Sequence, residues 1–146
     1  MSDTLLLQLL ALQHNPWHAR MYMTTPAAIL ASTTIPFDTV DYDPLGSLTT
    51  GVGAHYTCPV DGYYLVMTNV EQTTNAALYV EIQKNGVSQS QSTYYATFVS
   101  NTEVKATDVV KCVAGDTLSV MSGGNPFSYQ ANTWNCYVTF VFMRPA

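Results

Sequence analysis

The residues best suited to chemistry are three aspartates that stand close together in the chain. Asp38, Asp41 and Asp43 have a spacing from which alternate carboxylates can bind calcium or share acid–base work. Pro44 and Gly46 follow at once, and that setting favours a solvated loop in which Asp side chains cap turns. We therefore expect turn caps at these positions, with a weak calcium site as the alternative.

Sequence patterns for catalysis are otherwise missing. His14 and His18 are separated by Pro16, so they cannot share a helix face in the way that an H-E-x-x-H zinc motif requires. The sequence contains no G-x-S-x-G nucleophile elbow, no phosphate loop and no G-x-G-x-x-G motif. We therefore predict that the protein is not an enzyme and that it carries no cofactor, apart from the calcium considered above.

The cysteines give no site of their own. Cys58, Cys112 and Cys136 are odd in number and widely spaced, which is not the pattern of a disulfide framework or of a zinc site. Free cysteine is among the most buried residue types. We expect three buried thiols, with one disulfide and one free thiol as the alternative.

The charge balance excludes two classes of partner. Lys and Arg total five and the formal net charge is −5, so there is no basic stripe that could follow nucleic acid or dock on an anionic membrane. Only 10% of the residues are charged, so Ser, Thr, Asn and Gln or subunit contacts must cover the surface. The hydroxyls and amides from Gln83 to Ser92 could bind a sugar, but a simple solvent face is the expectation.

The first part of the chain predicts a segment that needs a partner. Asp3 is a good helix N-cap and Pro16 ends the helix-favouring sequence, which predicts a helix over residues 3–14. A helix this short is marginal alone in water, and it is too short to cross a bilayer. We predict that residues 1–17 form an anchoring and oligomerisation segment, with packing of its helix on its own domain as the alternative. Its apolar side chains are Leu5, Leu6, Leu7, Leu9, Leu10, Leu12 and Trp17.

Residues 18–146 predict one all-β domain. Short runs rich in Val, Tyr, Phe and Thr alternate with turn residues, which is typical of a sandwich or jelly roll. Asn85-Gly86 is a strong hairpin signal. The predicted strands are Arg20–Met23, Thr34–Phe37, His55–Cys58, Gly62–Val70, Ala76–Lys84, Ser88–Phe98, Thr102–Cys112, Thr117–Ser122 and Thr133–Met143.

Four motifs in this domain occur in an informative order. Tyr56 to Val66 is similar to an F-x-C/A-P-x-x-G-x-Y-x-F strand-turn-strand, and Ala77 to Gly86 to a Y-K-N-G hairpin. Val113 to Val120 is similar to an L-x-x-G-D-x-V-x-L turn, and Tyr137 to Met143 to a closing F-x-G-F-L-L strand. Through these motifs, the chain from about Arg20 to Arg144 resembles a C1q-like domain, the C1q/TNF-type jelly roll.

The resemblance implies a compact homotrimer, in which hydrophobic and aromatic faces pack along a threefold axis. Some members of the family bind calcium, but no ligand set transfers to this sequence residue by residue. We predict that Gly62, Gly86 and Gly115 supply turn conformations with positive φ. Four aromatic residues are expected to point inward, in the core or at the trimer contact. They are Tyr56, Tyr64, Phe140 and Phe142.

Small domains of this type also resemble virion proteins of bacteriophages, including head decorations, head fibres and tail tips. We predict a non-enzymatic structural protein of the virion surface: a trimeric capsid decoration or head-fibre knob that attaches to other virion proteins through residues 1–17. The alternative is a trimeric tail-tip or fibre adhesin that binds a host receptor or a host surface glycan.

Overall fold

A computed structural model of the protein describes residues 18–26, 28–73, 77–95, 102–129 and 134–146. The helix predicted over residues 3–14 lies outside these ranges, as do all the leucines of the predicted anchoring segment and Trp17. Among the residues that the model describes, no helix is long and apolar enough to cross a membrane.

Every regular element in the described residues is a β-strand. Runs of β-branched and aromatic residues form the longer strands, because such side chains pack well on a pleated surface. The strands of the described ranges are β1 (His18–Tyr22), β2 (Ala28–Ile29), β3 (Thr33–Thr34), β4 (Thr39–Tyr42), β5 (Leu48–Thr49), β6 (His55–Thr57), β7 (Gly62–Gln72), β8 (Ala77–Lys84), β9 (Val87–Tyr95), β10 (Thr102–Cys112), β11 (Thr117–Gly124), β12 (Phe127–Ser128) and β13 (Cys136–Arg144).

The strands form two main antiparallel sheets, and β2 pairs with β12 in a separate two-stranded sheet. Sheet I has the order β10-β7-β13-β1-β4, and sheet II has the order β5-β6-β11-β8-β9 with β3 also paired to β11. Strands far apart in sequence are neighbours, as β1 and β13 are, so the chain winds between the sheets as a jelly roll. This topology confirms the predicted all-β jelly-roll class. We call the end of the sandwich where Gly62, Cys112 and Arg144 meet the base.

The core lies between the two sheets and contains the four predicted aromatic residues. Tyr56 of sheet II stacks on Phe140 of sheet I, with ring centroids 5.0 Å apart and planes 12° from parallel. Tyr64 meets Phe142 edge-on at 5.3 Å, and its hydroxyl donates to the carbonyl of Val60 at 2.7 Å. Burial raises the pKa of Tyr64 to about 12, which keeps this hydroxyl a donor at neutral pH.

The sequence pattern placed two strands differently from the structure. Asp41 and its neighbours Asp38 and Asp43 predict a loop, yet Thr39–Tyr42 pairs with β1 as the outer strand of sheet I. In the predicted strand over residues 34–37, Thr34 pairs with β11, and the amide of Ile35 donates to the carbonyl of Val120 in that strand at 2.8 Å. Ile35 and Phe37 are fully buried where the chain crosses from one sheet to the other. The apolar character of this segment therefore reflects core packing.

One of the three glycine predictions is wrong in its physical reason. Gly86 and Gly115 have φ of 77° and 90°, as predicted for turns. Gly62 has no positive φ. It is needed because a β-carbon there would collide with the ring of Phe142 and the carbonyl oxygen of Arg144. The close approach of β13 to the start of β7 therefore excludes a side chain at this position.

Candidate functional site

The outer surface of sheet I carries several aliphatic side chains, whereas the solvent side of an antiparallel sheet is commonly polar. Strand β7 alternates between the core and the outside, so Tyr64 and Val66 are buried while Leu65 and Met67 are half-buried on the outer side. We call the outer surface of this sheet face I. Its main side chains are His18, Arg20, Tyr63, Leu65, Met67, Lys105, Val109, Lys111, Tyr137, Val141 and Arg144.

The strand register brings the apolar side chains of face I into a row. Val109 pairs with Leu65, Leu65 pairs with Val141, and Val141 pairs with His18. The row therefore crosses four neighbouring strands, and Val109 at its end is 51% exposed. Met67 lies beside it on the same face. A continuous apolar row of this kind, rather than scattered single residues, is typical of a contact surface between proteins.

Cations and aromatic rings cover the rest of face I. The guanidinium of Arg20 lies 4.6 Å from the centre of the Tyr137 ring and pairs with Asp41 at 2.8 Å. The guanidinium of Arg144 lies 4.9 Å from the centre of the Tyr63 ring. In such cation–π pairs the planar guanidinium group of the arginine lies against the face of the ring and is partly shielded from water. Rings and guanidinium groups thus lie next to the aliphatic side chains of face I.

The end of face I away from the base is polar. Asn69 and Glu71 of the central strand β7 are 3% and 7% exposed. The Asn69 amide donates to the carbonyl of Asn135 at 3.1 Å, and the Asn135 side chain donates to the Glu71 carboxylate. Beside them Lys105 pairs with Glu103 at 2.6 Å, and this hydrogen bond lowers the pKa of Glu103. Apolar contact on face I is therefore concentrated toward the base.

The structure gives Asp38 the role of a cap. Its carboxylate accepts the backbone amides of Thr24 at 2.8 Å and Thr25 at 3.0 Å, and the hydroxyl of Thr39 at 2.8 Å. Burial by itself would raise the pKa of Asp38, but these hydrogen bonds together hold it below its ordinary value. The aspartate thus joins the segment after β1 to the start of β4.

The other two aspartates of the sequence cluster have different partners. Asp41 pairs with Arg20 at 2.8 Å. Asp43 accepts the backbone amides of Ser47 at 2.9 Å and Leu48 at 2.8 Å. In the described ranges, no group of three or more His, Cys, Asp or Glu residues is placed to hold a metal ion. The geometry therefore uses each carboxylate to fix a turn or a strand.

The outer surface of sheet II, which we call face II, has a different character. Its outward positions in β11, β8 and β9 are mainly hydroxyls and amides. The Gln83 amide donates to the carboxylate of Glu81 at 3.2 Å and to the sulfur of Met121 at 3.2 Å. The side chains that define face II are Tyr79, Glu81, Gln83, Ser88, Gln91, Ser119 and Met121.

Comparison with known proteins identifies the family. The model of the C1q domain matches residues 20–141. The chain belongs to the C1q domain family. A search of curated proteins found no match.

Solved structures show the same C1q/TNF fold. The TNF protein Eiger of S. frugiperda has a TM-score of 0.69 and 13% identity, over 88% of this chain and 93% of that one. The globular domain of zebrafish complement 1qA has a TM-score of 0.62 and 11% identity, over 88% and 98%. Murine APRIL has a TM-score of 0.62 and 12% identity, over 86% and 98%. At these identities the likeness concerns the fold alone.

Face I was missed as a site by the motif search, although the sequence of this C1q domain carries a signal for it. In β7, the side chains on both faces of the strand are apolar or aromatic: Leu65 and Met67 alternate with Tyr64 and Val66. A strand that is apolar on both faces is expected to be covered on both faces. The family motif covers the residues that point into the core. Only the register of the neighbouring strands shows that the residues on the outer side form a row.

Proposed function

We propose that this C1q domain acts by contact rather than by catalysis, as a homotrimer whose subunits pack through face I. The observation that carries the proposal is the apolar row of Val109, Leu65 and Val141 across three neighbouring strands, which ends at His18 on the fourth. Membership of a family that forms trimers supports the stoichiometry. Apolar burial contributes about 25 cal/mol per Å², less the cost of association, so a row of this length favours stable assembly.

The native mass of the purified chain tests the trimer directly. We expect three copies by native mass spectrometry and by light scattering, with no dissociation on dilution into the low micromolar range. A monomer at these concentrations would refute the proposal. A dimer would mean that face I, or another surface, joins subunits in a different symmetry from the one proposed.

We further propose that the trimer is a virion structural protein, a capsid decoration or head-fibre knob on the particle surface. Residues 1–17 precede β1, whose first residue pairs with Val141 of the row on face I. In a trimer joined through face I, three leucine-rich segments would start close together. Such segments are suited to bundling with each other and with a capsid protein, because several apolar chains together remove more surface from water than one does.

Deletion of residues 2–16 tests the attachment. The truncated chain is expected to remain a trimer by native mass and to lose co-sedimentation with the particles that the full chain decorates. Normal decoration by a truncated trimer would overturn the anchor. Loss of the trimer itself would instead show that residues 2–16 are needed for assembly, so that attachment must be read from point variants such as Leu9→Asp.

A second candidate function is an adhesin that binds a host receptor or glycan, and face II is the observation that favours it. Ser88 and Gln91 on the hairpin of β8 and β9 are exposed, and neutral hydroxyls and amides are the groups that bind sugar hydroxyls by hydrogen bonds. A glycan array and sedimentation with host cells separate the two functions. Binding that a Gln91→Ala variant abolishes favours the adhesin, and no binding to cells or glycans favours decoration.

A further inference from the structure

Two of the three buried thiols lie together at the base, and they come from different sheets. Cys58 directly follows β6 of sheet II, and Cys112 is the last residue of β10 in sheet I. Each is 1% exposed, and interaction between the two thiols is the main cause of the pKa shift of each. The two sulfur atoms are thus neighbours in the core although more than fifty residues separate them in the chain.

Backbone hydrogen bonds hold this arrangement in place. The amide of Cys58 donates to the carbonyl of Asp116 at 2.8 Å, and the amide of Gly115 donates to the carbonyl of Cys58 at 2.8 Å. The turn that follows Cys112 is closed in its own right, because the amide of Val113 donates to the Asp116 carboxylate at 2.9 Å. Backbone hydrogen bonds therefore fix Cys58 next to residues 115 and 116, three and four positions after Cys112. The two thiols are thus held close by ordered backbone.

The third thiol is far from this pair. Cys136 starts β13 opposite Val70 of β7, whereas Cys112 lies opposite Gly62 of the same strand. Eight residues of strand at about 3.3 Å per residue separate these positions by roughly 26 Å, which is several times the span of a disulfide. Cys136 donates instead to the carbonyl of Glu71 at 3.8 Å.

We propose that Cys58 and Cys112 form a disulfide site, which a small disulfide oxidant such as oxidised glutathione closes into a covalent link between sheets I and II. The Cys112 thiolate attacks the glutathione disulfide and releases one glutathione thiolate. The Cys58 thiol then gives its proton to that thiolate, and its sulfur attacks the Cys112 sulfur of the mixed disulfide. The second glutathione leaves as a thiolate and takes up the proton that Cys112 lost when it ionised. Two protein thiols are oxidised, and one glutathione disulfide is reduced to two thiols.

The local electrostatics agree with this order of attack. The hydrogen bond from Cys58 lowers the pKa of Cys112. The same hydrogen bond, together with burial, raises the pKa of Cys58. Of the two thiols, Cys112 therefore ionises more readily, and thiolates rather than thiols are the attacking species in exchange.

This inference goes beyond the proposed function and holds whether or not the protein belongs to a virion. A bond between residues 58 and 112 closes a loop of about 55 residues, and longer loops give larger stabilisation by restricting the unfolded chain. Disulfides persist on secreted proteins and on virion and cell surfaces, whereas reducing compartments keep thiols free. The site would thus let an oxidising environment stiffen the base of the folded domain.

Differential alkylation under two conditions tests the site. The full chain is held native, or refolded from denaturant, in oxidised glutathione, and then alkylated with iodoacetamide in denaturant. We expect one thiol to be alkylated, and all three after prior reduction. Cleavage before aspartate places the cysteines in separate peptides, 43–60, 108–115 and 116–146. Peptides 43–60 and 108–115 should be joined, and the melting temperature should rise by about 5–10 °C.

Single variants provide the controls. Cys58→Ala and Cys112→Ala should each abolish the joined peptides, while Cys136→Ala should leave them and the rise in melting temperature unchanged. Three alkylated thiols after both native and refolding oxidation would overturn the proposal, because refolding gives the oxidant free access. A link that includes peptide 116–146 would overturn it as well. The wild-type mapping decides the question even if an alanine variant fails to fold.

Discussion

Faces I and II cover the same core but differ in what they offer to a partner. Face I carries an apolar row with Val109, Leu65 and Val141 in register. Face II presents mainly hydroxyls and amides, as at Ser88 and Gln91. Both faces belong to amphipathic sheets that need only one apolar side to fold. Folding of the single chain requires only the inner side of sheet I to be apolar. We infer that the apolar row on its outer side is there for contact with another chain.

The basic residues sharpen this difference. Of the five Lys and Arg residues in the sequence, all but Lys84 lie on face I. Arg20 and Arg144 lie over aromatic rings there, and Lys105 pairs with Glu103. Glu81 is the charged member of face II. Outside face I, the remaining charges are almost all acidic, which favours solubility of that surface and disfavours self-association through it.

The largest expected effect is the loss of assembly when a charge enters the apolar row. Leu65→Glu places a carboxylate at the centre of face I, between Val109 and Val141, where contact would remove the charge from water. We expect association weakened by more than about a hundredfold, a cost of about 3 kcal/mol or more. Analytical ultracentrifugation should show monomer. Ser88→Glu adds the same charge to face II and should leave a trimer, and equal loss in both variants would remove the distinction between the faces.

A core variant should affect both faces alike. Phe140→Ala removes the ring that stacks on Tyr56 between the sheets, and such truncations cost about 3–5 kcal/mol. We expect a lower urea midpoint of unfolding, measured at several protein concentrations to separate folding from assembly. Unlike Leu65→Glu, this variant should lower the stability of the domain itself. If it changed only the stoichiometry, the core would contribute less to folding than its burial suggests.

Two glycines at the base allow a smaller test. Gly62→Ala forces a β-carbon against Phe142 and the backbone of Arg144, where β13 borders face I, and overpacking of this kind costs about 1–3 kcal/mol. Gly86→Ala meets no atom but keeps a φ of 77°, at a cost of about 1–2 kcal/mol. Thermal unfolding should rank Gly62→Ala as the more destabilising variant and the more harmful to assembly. The reverse order would contradict the close approach at residue 62.

The smallest expected effect is the loss, in acid, of the hydrogen bonds that the Asp38 carboxylate accepts beside face I. The pKa of Asp38 is below its ordinary value in the folded chain, so its contribution is complete above about pH 4 and is lost as the pH falls through the folded pKa. Asp38→Asn should cost less than about 1 kcal/mol at pH 7, because the carboxylate is only partly buried and water screens its charge. Below pH 4, the free energy of unfolding of the Asp38→Asn variant, measured by denaturant titration, should depend less on pH than that of the wild type. Asp108→Asn is the control, and identical acid profiles would contradict the role of Asp38.

The sequence was informative wherever a local rule applied. Asn85 has a φ of 51° and Gly86 of 77° in the predicted hairpin, because few residues adopt that backbone. The long strands β7 and β10 lie where their patterns placed them. Rules that depend on local composition failed at β4, where Asp41 and the flanking Asp38 and Asp43 indicated a loop. There the pairing with β1 decided the structure, and no local pattern contains it.

The sequence by itself determined the class of the domain, because period-2 alternation, turn glycines and the order of four motifs are local properties of the chain. Only the tertiary structure decided which apolar residues line the core and which form face I, since the two sets alternate within one strand and differ only in what lies opposite. It also brought Cys58 beside Cys112, and it gave Gly62 a steric reason in place of a conformational one. Such contacts join residues from distant strands, and their register is set by how the two sheets close on each other.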